Sequence, residues 1–86
     1  MKCIKILGES KSECQPLHQL VVKELERLEL EESFEVKWVN DANSIVSFGV
    51  MMTPGLVINE DVKSCGYLPE RNDLRRWIES EIEVAR

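Results

Sequence analysis

The residues of this 86-residue chain best suited to chemistry are its three thiols, Cys3, Cys14 and Cys65, together with Lys11. Cys14 closes the stretch Gly8-Glu9-Ser10-Lys11-Ser12-Glu13-Cys14, which follows the apolar run Ile4 to Leu7 and leads into a long amphipathic segment. A strand that ends in a polar turn and opens a helix favours thiol reactivity. First-turn N–H groups lack helical partners, the dipole favours negative charge there, and both push a thiol toward thiolate. Thiol exchange needs such a thiolate to attack a sulfur and a second thiol to release the product. Three residues before Cys14, where a dithiol pair would place its other sulfur, stands Lys11. The direction of Cys14 also opposes the thiolate. At about 100° per residue, Cys14 falls on the stripe of Leu17, Val21, Leu25 and Leu28 and points inward, while Lys11 lies toward the solvent edge. Cys14 therefore reads first as a core thiol and second as a functional single thiol.

The remaining candidates have plainer readings. Cys3 starts a strand and reads as core filler. Cys65 ends a strand just before Gly66; it reads as a strand cysteine and, after that, as a candidate second thiol near the loop. His18 lies one helical turn from Cys14, but two ligands are too few for a metal site, so no metal is expected. Met51 and Met52 read first as packing under a loop and second as an adaptable apolar rim for a partner. Trp38 and Trp77 read as core rather than as ligand platforms.

Composition narrows the function classes. A net charge of −5 and a pI of about 4.9 argue against nucleic acid and against an anionic membrane surface. No apolar run approaches the roughly 18 residues of a membrane span, and no signal-peptide core is expected before the first strand. Three widely spaced cysteines without a C-x-x-C pair suggest neither a disulfide scaffold nor a zinc site, and a reducing cytoplasmic location is the simplest expectation. The apolar fraction, 43%, is ordinary for one globular domain spanning 1–86.

The elements that must position these residues follow from periodicity. Residues 2–7 form a strand with apolar groups on both faces, which predicts a central place in the sheet. Lys5, the exception, is expected to pack its stem and extend its amine to water. A helix is expected over 12–30, with Ser12 and Gln15 at capping-box spacing, Pro16 in the first turn, Glu24 among the solvated outer charges, and a frayed acidic end. Residues 34–39 alternate as a half-exposed edge strand. Asn40 or Asp41 caps a short helix that Gly49 stops. A loop over 50–55, a strand over 56–58, a polar turn at 59–61 and a strand over 62–65 make a hairpin. A last helix spans 70–85 with Leu74, Trp77, Ile78, Ile82 and Ala85 on one face. The first two strands should run parallel, and helices should cover both faces of one sheet.

The order β-α-β-α-β-β-α, with Thr53-Pro54 before the third strand, resembles the thioredoxin fold. More narrowly, the chain resembles the small thioredoxin-like proteins of archaea and bacteria known as redox-active disulfide proteins. The resemblance rests on Lys5-Ile6-Leu7-Gly8 entering the turn, Cys14-Gln15 at the helix start, the run Gly49 to Ile58, and Gly66 to Pro69 before the last helix. It implies an α/β fold with a four-stranded mixed sheet and helices on both faces. In such proteins the turn reads G-x-x-C-x-x-C: the first cysteine is the exposed nucleophile and the second, half-buried, resolves the mixed disulfide. A cis proline follows, and the backbone before it pairs with an extended substrate. By this resemblance Cys14 is the resolving-type thiol, Lys11 stands at the nucleophile position, Pro54 is the cis proline, and Met52, Thr53 and Pro54 form the substrate-binding edge. Single-cysteine glutaredoxin relatives keep the first cysteine, so this chain departs from them too. The implied function is that of a relative of the thiol-disulfide oxidoreductases with dithiol exchange lost or altered. The alternative is a non-catalytic module binding a peptide along the proline edge. The implied partner is a protein or peptide thiol or disulfide, with no cofactor, no nucleic acid and no membrane.

Overall fold

The first strand, β1 (Lys2–Leu7), carries apolar side chains on both faces because it lies inside the sheet. In the computed structural model, which describes residues 2–83, the four strands take the order β2-β1-β3-β4. β2 (Phe34–Val39) pairs with β1 in parallel, β3 (Gly55–Ile58) pairs with β1 antiparallel, and β4 (Asp61–Cys65) closes the hairpin with β3. The helices are α1 (Lys11–Arg27), α2 (Ala42–Ser47) and α3 (Arg71–Glu83). Strand alternation divides the core. Ile4, Ile6, Leu56 and Ile58 pack with Leu17, Val21 and Leu25 of α1 and Leu74 and Ile78 of α3. Leu7 and Val57 face the other way, onto Ile45 of α2 and Val50. The expected fold class and strand pairing hold, and β2 is an edge strand. The last helix is described only to Glu83, so Ala85 lies outside the described residues.

Lys5 sits on the α2 face, its Nζ 5.1 Å from the centre of the Phe48 ring and donating to Glu60 Oε2 at 2.8 Å. The stem is covered and the charge is paired at the surface, as expected for an amphipathic side chain. Asp41 caps α2, its carboxylate accepting from the Ser44 N–H at 2.9 Å, and Gly49, at φ 79°, ends it. The β3–β4 turn has only Asn59 and Glu60 between its strands, both at positive φ (49° and 73°), the backbone of a type I′ turn. Asn59 tolerates that conformation, and its side chain accepts from Cys3 N at 3.0 Å and donates to Glu81 Oε1 at 2.8 Å. Glu60 stands where glycine is usual.

α1 departs from the sequence expectation in four respects. It begins at Lys11 behind Ser10, and the Ser12–Gln15 capping box does not form; Ser12 Oγ instead shares a hydrogen bond with Ser10 Oγ at 2.9 Å. Pro16 lies in the second turn, and the carbonyl it leaves without a helical donor belongs to exposed Ser12, where water can serve it. Glu24 is 1% exposed rather than on a solvated face, because α3 covers it and brings Arg71 beside it, with Arg27 on its other side. The C-terminus is closed rather than frayed. Glu29 takes φ 57°, so that Leu30 N donates to Leu25 O at 2.9 Å and Glu29 N to Glu26 O at 3.1 Å, a Schellman motif without glycine. A left-handed glutamate at a negative helix end is unfavourable twice over. Glu29→Gly should therefore raise stability by about 1 kcal/mol, measured as a higher urea midpoint at unchanged slope.

Candidate functional site

The site forms where β1, α1, the end of β2 and the loop before β3 meet. Gly8, the first residue beyond β1, donates its N–H to Val39 O at 3.0 Å and accepts from Trp38 Nε1 at 2.9 Å through its carbonyl. It is buried, and the Cys14 sulfur lies directly over its Cα: a Cβ there would sit inside the 3.0 Å that real Cβ contacts keep, with Glu13 Oε1 also close, at 3.1 Å. Only glycine leaves room for the thiol in this position.

Cys14 is 4% exposed and belongs to the α1-face core, as its place on the Leu17–Val21 stripe requires. Burial pushes its thiol above the ordinary cysteine range. The Trp38 indole N–H, whose hydrogen bond goes to Gly8, lies near enough to the sulfur to pull the other way, and the Glu13 charge adds to the rise. Burial prevails, and the thiol keeps its proton at neutral pH. Lys11, the first residue of α1, is exposed and forms no ion pair with the described residues. It shares with Ile6, Cys14, Gln15, His18 and Trp38 the lining of a cavity of about 270 Å³. Trp38 is 41% exposed, a correction to its reading as core, because β2 runs past the cover of α1 and ends at this cavity.

On the opposite side Thr53 Oγ1 donates to Glu13 Oε1 at 3.0 Å and ties the loop to the first turn of α1. The Thr53–Pro54 peptide bond is cis, and Pro54 O accepts from Gly66 N at 2.9 Å. Met51 and Met52 do not pack under the loop. They are 92% and 65% exposed, since Val50 takes the core position and turns its neighbours outward. Among the described residues, Met51, Met52 and Thr53 make no backbone–backbone hydrogen bond. Cys65, exposed, stands opposite Gly55 in the sheet, next to this loop. All three cysteines are free thiols.

The structure thus brings Cys14, Lys11 and Trp38 to one side of the α1 turn, and Met52, Thr53 and Pro54, with Cys65 at the adjoining strand end, to the other. Glu13 and Trp38 are the participants that sequence reasoning missed. Glu13 reads as one more helix charge until a contact forty residues away gives it a partner, and Trp38 reads as a regular member of the Phe34–Val36 face. Among the described residues no group of three or more His, Cys, Asp or Glu is placed to hold a metal ion, and no helix is long and apolar enough to cross a membrane.

Comparison with curated proteins gives no match. The family model described as a thioredoxin domain matches residues 2–79, which include all four strands, α1, α2 and most of α3. With the β-α-β-α-β-β-α order and the sheet order β2-β1-β3-β4 already in place, the chain belongs to the thioredoxin-domain family.

Proposed function

We propose that this protein is a thioredoxin-fold relative of the thiol-disulfide oxidoreductases in which dithiol exchange at the α1 turn has been lost. The observation that carries this reading is the state of the one thiol at that turn. Cys14 is buried and held protonated, while the exposed position three residues earlier is Lys11. Exchange requires an accessible thiolate to attack and a neighbouring thiol to resolve, and this turn offers neither. The test is reduction of a protein disulfide, such as that of insulin, with dithiothreitol as the electron source. The native protein should turn over no faster than Cys14→Ser. A native rate clearly above that of Cys14→Ser would overturn the reading.

A second reading has an observation of its own. The segment Met51-Met52-Thr53 has free backbone groups and two exposed methionines, and exposed Val46 lies beside it along the same depression as Met51 and Thr53. This favours a module that binds an extended protein or peptide segment along the Met52–Pro54 edge, with main-chain hydrogen bonds for affinity and methionine for adaptable contact.

A further inference from the structure

A second surface, which meets the thiol turn only at Trp38, is the free edge of β2. Both edges of the sheet are strands, but they differ. β4 is short and its pairing with β3 slips between Leu56 and Val57, a bulge that blunts an edge. β2 is six residues long, regular in register against β1 along its whole length, and contains neither proline nor glycine. Its hydrogen-bonding phase is fixed at both ends. Lys2 N donates to Ser33 O at 3.3 Å and Gly8 N to Val39 O at 3.0 Å. In a parallel ladder alternate residues face the same neighbour, so Glu35 and Lys37 point their backbone groups at β1. Phe34, Val36 and Trp38 point theirs outward, where no strand among the described residues pairs with them.

We infer that this edge pairs with the same edge of a second copy of the chain, antiparallel and centred on Val36. The phase permits it: Val36 faces outward, so its N–H and C=O can bond those of Val36 in the second copy across a two-fold axis. Phe34 then pairs with Trp38 of the second copy, and the reverse pair forms by symmetry, so every outward backbone group of β2 in this span gains a partner. The charges select this arrangement. Glu35 and Lys37, on the opposite face, are both 53% exposed and 3.8 Å apart within one chain. Centring on Val36 sets Glu35 opposite Lys37 of the second copy, twice, in the closely spaced non-hydrogen-bonded positions. A parallel in-register pairing would instead set Glu35 against Glu35 and Lys37 against Lys37. The edge is therefore self-complementary in backbone phase and charge.

Analytical ultracentrifugation in reductant, which removes any dimer bridged through exposed Cys65, tests this between about 1 μM and 1 mM. The wild-type chain should pass from monomer to dimer within that range. Glu35→Lys and Lys37→Glu each place like charges at both symmetric contacts and should each weaken self-association about tenfold or more. Mixed in equal amounts, the two variants should associate as heterodimers, because each lysine then meets a glutamate. A wild-type chain that stays monomeric throughout overturns the inference, as do single variants that dimerise like the wild type or a mixture that fails to associate.

Discussion

Replacing Lys11 with cysteine should give the chain a working dithiol, raising insulin reduction from the buffer background to repeated turnover. The new thiol would occupy the first residue of α1, exposed and at the positive end of the helix, with Cys14 three residues on. Side chains at that spacing approach to about 5–6 Å between Cβ atoms, and a disulfide needs about 3.5–4.5 Å, a difference the loosely held first turn can absorb. The new thiolate would attack the substrate disulfide and form a mixed disulfide. Cys14 Sγ, on giving up its proton, would then attack the new sulfur and release the reduced substrate. The protein is left with an intramolecular disulfide that dithiothreitol reduces again. The Glu13 charge and the burial of Cys14 both slow the second step, so the gain lies in the appearance of turnover rather than in its speed. If the folded variant keeps both thiols reduced under mild oxidation that closes a control C-x-x-C protein, Lys11 does not occupy the nucleophile position.

Gly8→Ala should be the most damaging single-methyl change in the site, costing about 3 kcal/mol, the upper part of the usual range for overpacking. The added Cβ would meet Cys14 Sγ inside 3.0 Å, and the Glu13 carboxylate at 3.1 Å also crowds it. The sulfur is packed into the α1-face core, so relieving the clash means swinging it out of that packing toward the cavity it lines with Lys11 and Trp38. Shortening Cys14 to alanine should relieve the clash. The double variant Gly8→Ala/Cys14→Ala should then be more stable than the sum of the single effects predicts, by about 1–3 kcal/mol of coupling. Urea unfolding of the four proteins measures this. A neutral Gly8→Ala, or strictly additive effects, would mean that the thiol does not rest on Gly8.

Much of this architecture is legible in the sequence, and the parts that are not share a cause. Ile4-Lys5-Ile6-Leu7 announces a central strand because apolar groups on both faces have no other use, and the alternation from Phe34 to Val39 announces an edge. The inward turn of Cys14 follows from its spacing to Leu17 and Val21. What spacing does not carry is the identity of a neighbour from elsewhere in the chain. Glu24 looks solvated until α3 lays Arg71 across it, and Glu13 looks idle until Thr53 reaches it. Met51 and Met52 look like core because they are apolar, yet Val50 alone fills the space beneath the loop. Spacing alone misplaces the α1 boundaries at both ends for a related reason. Ser12 and Gln15 have the spacing of a capping box but lie inside the helix, and Glu29 adopts a left-handed backbone that composition alone would assign to glycine.

Alkylation of the native, reduced protein with peptide mapping tests most directly whether the thiol at the α1 turn is closed to exchange, as we propose. Burial raises the Cys14 pKa, so at any pH its thiolate fraction lies below that of a free cysteine. The folded state also holds this proton more tightly than the unfolded chain does. That contribution to stability is full below the ordinary thiol pKa and is lost as pH rises through the raised one. At about pH 8, exposed Cys65 should label readily and Cys14 far more slowly, because its sulfur is buried and keeps its proton. The labelling of Cys14 should accelerate only at pH above the ordinary thiol range. Labelling of Cys14 as fast as Cys65 at neutral pH would contradict the account and reopen single-thiol chemistry at this turn.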